Sequence, residues 1–457
     1  MIFGKANNKN SSAQVVITTL ALTSATVPYW NIDASAAGFA LREYGFSAAS
    51  NSFAGSSAQS DEAAFLAYNP ATSSGTIEWD AQFTLNAIYP TSDALYSIAT
   101  TSTGANISGS KAPDDFIQDA YEPGLSFRYR INEKWTAGLS VTAPWGLGTK
   151  YNENWAGRYY AVQSKLLTVN TTPSLAYQLL PNLTLAAGLQ IQYAQGTLSN
   201  AIDFGSIGFL NGVPGSNPGT QDGFVEIEAS DWAVGYTLGA LWSPTPDFSL
   251  GFSYRSALEH DLEGSVDFRL DTTGVGAALS GFSGAFIDTD GRAKLNLPAI
   301  TTLGMSLKAT EKLTLLAEVG LTEWSDFKEL RVKFSNPLQP DNFQTYDWKD
   351  TWLIAGGIKY EATPDWIVRS GIAIDQTPTR DATRDPRIPD ATRTWASIGF
   401  EHKLSPSTSL QLGYARLIFP QEPISLSAAT AGNEVRGNLS GTTDADADMI
   451  SFQLSFR

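Results

Sequence analysis

The 457-residue chain contains no cysteine, only two histidines, and no run of 18 consecutive apolar residues. Without cysteine there is neither a disulfide framework nor a thiolate metal site. Without a long apolar run there is no membrane-spanning helix. Basic residues are also scarce: 30 Lys and Arg stand against 46 Asp and Glu, a formal net charge of −16. That sign repels phosphate backbones and argues against nucleic acid as a partner. His260 and His402 lie at opposite rims of the strands described below, so a Ser-His-acid site would have one imidazole and no nucleophile placed beside it. Asp444, Asp446 and Asp448 resemble part of a calcium loop but lack its glycine and distal glutamate. The expectation is a non-enzyme with no catalytic residues, no metal and no cofactor.

What the chain does have is alternation. Residues 1–36 read as an export signal: Lys5 and Lys9, a modest apolar run over 15–27, then Ala34-Ser35-Ala36 as a small-x-small cleavage site. Residues 37–75 are rich in Ala, Ser and Gly, keep no period of two or of 3.6, and contain Asn69-Pro70-Ala71. From 76 to 457 apolar and polar residues alternate in segment after segment. Over 76–89, Trp79, Ala81, Phe83, Leu85 and Ala87 share one face, and Asp80, Gln82, Thr84 and Asn86 share the other. Segments such as 166–179, 232–243 and 312–333 exceed ten residues, the length of tilted membrane strands. Short turns near 132, 181, 245, 310, 364 and 406 alternate with long polar stretches, the two-rim rhythm of an outer-membrane barrel. Six turns and seven loops give about fourteen strands. The expected fold is all-β: a transmembrane antiparallel β-barrel with an N-terminal hatch plugging its lumen.

If Tyr89 faces Tyr121 across the first loop, Asp80 comes opposite Arg130 and Gln82 opposite Arg128. Asp80, Arg128 and Arg130 are therefore expected as lumen charges that either clasp the hatch through Arg42, Glu43 or Asp61 or form a solvated ladder in a polar lumen. Trp79, Trp135, Trp145, Trp242, Trp366 and Trp395 are expected in interfacial girdles. Trp155, Tyr159, Tyr160, Phe204 and Phe209, in the loops, are candidates for a greasy capture groove. Pro144, Gly146 and Gly148 end an otherwise regular strand, where Pro removes a ladder donor and Gly weakens packing.

Several motifs in order, AGF at 37–39, NPA at 69–71, PWGLGTKYNENWAGRY at 144–159, LNLP at 295–298, WSDFKEL at 324–330, WKDTW at 348–352 and PRIPDATRTW at 386–395, resemble the FadL-like family of long-chain fatty acid and aromatic-hydrocarbon outer-membrane transporters. The resemblance covers nearly the whole chain after residue 36. It implies capture of hydrophobic small molecules at extracellular loops, binding in a luminal pocket, hatch rearrangement and lateral release into outer-membrane lipid beneath lipopolysaccharide. It also implies ligand contact at Phe39 and Leu41, a hatch motif Asn69-Pro70-Ala71 facing the kink, and a lateral-opening kink at Pro144, Gly146 and Gly148. The protein is expected to be monomeric. Asn200 and Thr345 stand where this resemblance leads one to expect basic partners for a carboxylate, which favours a neutral ligand unless Arg255 or Lys349 substitutes. The alternative function is a general diffusion porin for polar solutes.

Overall fold

In a computed structural model, which describes residues 38–73 and 77–457, alternation has produced one closed antiparallel barrel. The export signal expected over 1–36 lies outside the described residues, as does part of the junction between hatch and barrel. Fourteen strands are formed among the described residues, six of them interrupted. They are β1 (Trp79–Thr100), β2 (Ala120–Arg130), β3 (Trp135–Thr142 and Gly146–Lys150), β4 (Gln163–Leu180), β5 (Leu183–Asp203), β6 (Asp222–Thr245) and β7 (Phe248–Arg255 and Leu258–Arg269). There follow β8 (Thr289–Leu297 and Ile300–Lys308), β9 (Leu313–Thr322 and Glu329–Phe334), β10 (Asn342–Thr345 and Thr351–Glu361), β11 (Trp366–Asp375), β12 (Arg393–Ser405), β13 (Thr408–Ile418 and Glu422–Leu426) and β14 (Asn438–Phe456). Each pairs with the next, and β14 returns to pair with β1 from Ala81↔Phe456 to Thr100↔Asn438. Closure leaves no sheet edge, the condition for strands to cross a bilayer.

The alternation runs oily side out. On β1, Phe83 is 42% exposed while its neighbours Gln82 and Thr84 are buried against the lumen. The polar inner face is covered by the hatch, whose described residues are buried except for the half-buried Ser60, Asp61 and Tyr68. The hatch folds as helix α1 (Phe46–Ser50) and two short 3-10 turns at Ala63–Ala67 and Pro70–Ser73.

Trp79, Trp135, Trp242 and Trp366 are exposed on the wall, as girdle residues should be. Trp145 and Trp395 are not: both are buried inside, Trp395 packing edge-on against Phe53 of the hatch at 4.9 Å. The register of β1 on β2 also differs from expectation. Asp80 pairs with Arg128, and Gln82 with Ser126. Tyr89 and Tyr121 do meet, with centroids 6.3 Å apart, but Tyr121 stands opposite Ala87, so their contact is diagonal and the register moves by two.

A hatch-sealed kink and an apolar luminal cavity

The strand expected over 135–145 breaks at residues 143–145. Pro144 cannot donate to a ladder, and the pairing of β2 with β3 stops at Leu125↔Val141. It resumes only at the single bridge Ile117↔Thr149. Between those rungs β2 and β3 do not pair, so the wall has a gap there. Unpaired backbone at membrane depth is tolerated only where protein or a cavity covers it, and the hatch supplies the cover. Leu41 N–H donates to Pro144 O at 2.9 Å, and Gly146 N–H donates to Phe39 O at 2.9 Å. On the far side of the gap the Asn86 amide of β1 donates to Glu43 O, and Tyr44 O lies where a Cβ on Gly124 would need to be. Residues 39–44 thus stretch across the gap from β3 to β2 and β1.

The Asn69-Pro70-Ala71 turn is bonded elsewhere. Asn69 Nδ2 donates to Ala240 O of β6 at 3.1 Å and to Ser57 O at 2.7 Å, while its Oδ1 accepts from Ala71 N–H. The lumen charges clasp the hatch as a class but through other atoms than expected. Arg128 forms a 3.0 Å pair with Asp80 and donates to Ser60 O; Asp80 accepts from Ala63 N–H. Arg130, one register position outside that cluster, faces Thr136 of β3. Asp61 pairs with Lys359, and Glu62 with Arg369 at 2.8 Å.

Phe39 is the centre of an aromatic cage. Its ring lies 4.7 Å from Trp324, 5.5 Å from Phe327 and Trp348, and 6.1 Å from Trp145. Motifs far apart in sequence meet here: WSDFKEL and WKDTW supply three rings, PWGLG the fourth. The preceding Gly38 has φ +66°, and an added Cβ would fall 2.8 Å from the Trp348 ring. Its N–H donates to Asp390 Oδ2 at 2.8 Å. Burial pushes the Asp390 carboxyl up to about 7, against the pull of Gly38 N–H and Thr377.

Beside the cage lies a cavity of about 70 Å³ lined by Phe39, Leu147, Leu166, Leu262, Leu295 and Val332, with Arg387 and Lys165 also on its wall. Leu41 does not line it; it packs in the hatch core near Phe53 and Leu353. Arg387 is buried; its guanidinium donates to Asn200 Oδ1 at 2.9 Å, Ser164 Oγ at 3.2 Å and the carbonyls of Gln163 and Ser199, while its backbone N–H donates to Asp385 Oδ1 at 3.0 Å. Arg436 lines an adjoining space with Arg387, and it too is held by neutral groups, Asn342 Oδ1, Gln344 Oε1 and Phe343 O. Burial and the charge of Arg387 bring the Arg436 pKa down to about 10. The expectation from Asn200 and Thr345 therefore changes. Asn200 Oδ1 accepts from a guanidinium that comes from the loop 376–392. Arg255 instead donates to Ala67 O, and Lys349 is exposed. Sequence reasoning passed over Arg387 because a charge in a long polar loop reads as solvated, although it sits inside the PRIPDATRTW motif.

The loop aromatics are not a groove. Trp155, Tyr159, Tyr160 and Phe204 are buried, the first three in a packed loop core. Exposed apolar side chains of the loops include Phe209 and Leu210 at the end of helix α2 (Phe204–Leu210) and Phe282 on helix α3 (Val275–Ser283), the last 92% exposed. His260 has Asp231 at 3.4 Å but meets the amide of Gln192 on its other side rather than a hydroxyl; His402 stacks on Trp366. Asp446 and Asp448 are both paired with Arg416.

A closed barrel with apolar outer face, internal hatch, sealed wall gap and apolar luminal cavity defines an outer-membrane protein built to handle hydrophobic molecules. Residues 30–457 match the family of outer membrane protein transport proteins described as OMPP1/FadL/TodX, and the chain belongs to that family. It is 26% identical over 419 residues to the long-chain fatty acid transport protein of Escherichia coli O6:H1, covering 88% of this chain and 91% of that protein. Outer membrane protein P1 of Haemophilus influenzae is 25% identical, with 84% and 86% covered. The crystal structure of a Pseudomonas aeruginosa FadL homologue superposes with a TM-score of 0.83 at 26% identity, over 92% of this chain and 99% of that one. The Ralstonia pickettii toluene transporter TbuX shares the fold, with a TM-score of 0.63 at 18% identity over 91% and 98%. The protein's place is the bacterial outer membrane.

Proposed function

We propose that this protein is a passive channel through which long-chain fatty acids cross the outer membrane. One observation carries the choice of ligand: two buried guanidiniums, of Arg387 and Arg436, hydrogen-bonded among the described residues only to neutral oxygens, adjoin an apolar cavity. Two buried cations with the single carboxyl of Asp385 acting on both leave positive charge unbalanced, which is costly, and a ligand with a charged head and an aliphatic tail satisfies both ends of the site. Capture begins on the exposed apolar tips Phe209, Leu210 and Phe282. The tail then enters the cavity, where burial contributes about 25 cal/mol per Å² of apolar area, and the head meets Arg387. Displacement of Phe39 withdraws residues 39–41 from the kink, and the ligand leaves sideways between β2 and β3. Phe39 is the ligand contact in this reading; Leu41, Pro144, Gly146 and Gly148 belong to the gate, and Asn69-Pro70-Ala71 anchors the hatch to β6. Transport down a gradient needs no cofactor and no catalysis. A closed barrel with a lipid-facing surface all round is complete as a monomer, its outer face meeting lipid and lipopolysaccharide.

Mass spectrometry of lipophiles extracted from the purified protein tests the ligand class. Recovery of long-chain acids supports the reading; recovery of neutral hydrocarbons alone, or permeation of sugars through proteoliposomes, overturns it.

A further inference from the structure

A fatty acid that leaves sideways enters hydrocarbon, where a carboxylate is strongly disfavoured. The head held by Arg387 is ionised, so it must gain a proton before release. We propose that Glu122 delivers that proton at the wall gap. This rests on the reading of the ligand as a fatty acid released sideways, and goes beyond it by assigning a chemical step and the residue that performs it.

Glu122 lies on the stretch of β2 that has no partner on β3, between the last rung Leu125↔Val141 and the bridge Ile117↔Thr149. Its side chain points inward and is 2% exposed. Neither carboxyl oxygen has a hydrogen-bond partner among the described residues. The neighbouring Asn86, its cross-strand partner, donates to Glu43 O and is the polar side chain that acts on Glu122 from β1. The ionisable group that acts on Glu122 is Glu43, a second buried carboxyl, which binds its own backbone neighbour Arg42 N–H at 2.5 Å. Burial raises the Glu43 pKa. The cations nearby are engaged elsewhere: Arg42 donates to Thr322 and lies 3.7 Å from Asp375, Arg255 stacks 5.4 Å from the Tyr44 ring, and Arg393 pairs with Asp375. The remaining titratable neighbours, Tyr44 and Tyr68, are phenols, and Tyr68 donates its hydroxyl to Arg42 O. A barrel wall that tolerates a buried carboxyl with no cation on it, where the ladder between β2 and β3 is open, keeps it there for proton exchange rather than for structure.

The step balances simply. The Glu122 O–H bond breaks as an O–H bond forms on the ligand carboxylate, leaving Glu122 anionic and the ligand neutral. Hydronium from the aqueous side restores the Glu122 proton once the hatch strand reseats. Glu43, coupled to Glu122 by like charge, favours that return.

The test compares uptake of a long-chain acid and of its chain-matched alcohol by cells expressing wild type, Glu122→Gln and Glu122→Asp, over pH 5 to 8. Glu122→Gln is expected to lose about tenfold or more of acid uptake at pH 8. The loss should shrink toward pH 5, where the acid arrives protonated, and alcohol uptake and acid affinity should stay within about twofold of wild type. Glu122→Asp is expected to restore part of the acid uptake. An equal fall for acid and alcohol would make Glu122 structural, and a pH-independent or absent effect on the acid would equally overturn the proposal. Failure of wild type to carry the acid at all would instead refute the ligand reading, so the two failures are distinguishable.

Discussion

Replacing Arg387 by Gln separates a head-group site from a merely shaped cavity. Gln keeps two amide donors near Asn200 and Ser164 but removes the charge. At an effective dielectric of about 20, a carboxylate 4 Å from a guanidinium is attracted by about 4 kcal/mol, and a charge-assisted hydrogen bond contributes about 1.5–3 kcal/mol net. Arg436 remains and recovers part of that. The expected loss is about 2–3 kcal/mol, or about 30- to 150-fold in the dissociation constant of a long-chain acid. The chain-matched alcohol should change by less than about threefold, because the apolar lining is untouched. Arg387→Lys should fall between, since an ammonium cannot reproduce the fork that holds Asn200 and Ser164 together. Titration calorimetry on protein in detergent, with circular dichroism to confirm an intact barrel, reads both ligands. Equal weakening of acid and alcohol would refute the reasoning, because it would mean that Arg387 only shapes the cavity.

Phe39→Ala empties the aromatic cage and should weaken seating of the hatch strand by about 3–5 kcal/mol, seen as faster protease cleavage near residue 40 with the barrel intact. Arg369→Ala leaves Glu62 and Glu401 buried without their common cation, which lies 2.8 and 3.4 Å away; hatch unfolding in denaturant should move to lower concentration by about 3–5 kcal/mol. Burial raises the Asp390 pKa in the folded protein, so its contribution to folded-state stability is present below about pH 4 and lost as pH rises through about 7; Asp390→Asn should flatten the pH dependence of the unfolding midpoint in denaturant over that range. Deleting residues 38–73 should raise sugar flux through proteoliposomes, whereas a diffusion porin with an idle leader would show none.

The barrel was readable because a two-residue period with an oily and a wet side is a local property, repeated in every strand. Strand ends were less readable. Pro90 looked like a terminator, yet β1 runs to Thr100. Pro90 pairs with Ala447 on β14, while the ladder to β2 has already ended at Ile88↔Ala120, so its missing N–H faces a side with no rung to break. The continuous strand expected over 312–333 is broken at residues 323–328, because Trp324 and Phe327 are drawn inward to Phe39. That is tertiary burial overruling alternation, and no local pattern announces it. The cations of the site were hidden for a related reason. Arg387 and Arg436 come from loop segments whose polarity looks like solvation until the fold turns them inward.

In the proposed route the same few residues serve cavity and gate, which couples the two. Phe39 contributes its ring to the cavity wall and its carbonyl to Gly146 across the kink. A ligand that displaces the ring therefore strains the two 2.9 Å bonds that stand in for missing ladder rungs. Each such buried bond, left unmade, costs on the order of 1–3 kcal/mol, so an open gap is rare without ligand. To invert a population of about 1:99 a ligand must favour the open form by about 5.5 kcal/mol. Tail burial plus a head-group pair at Arg387 is of that order, and a sugar, which offers neither, has no means of opening the wall.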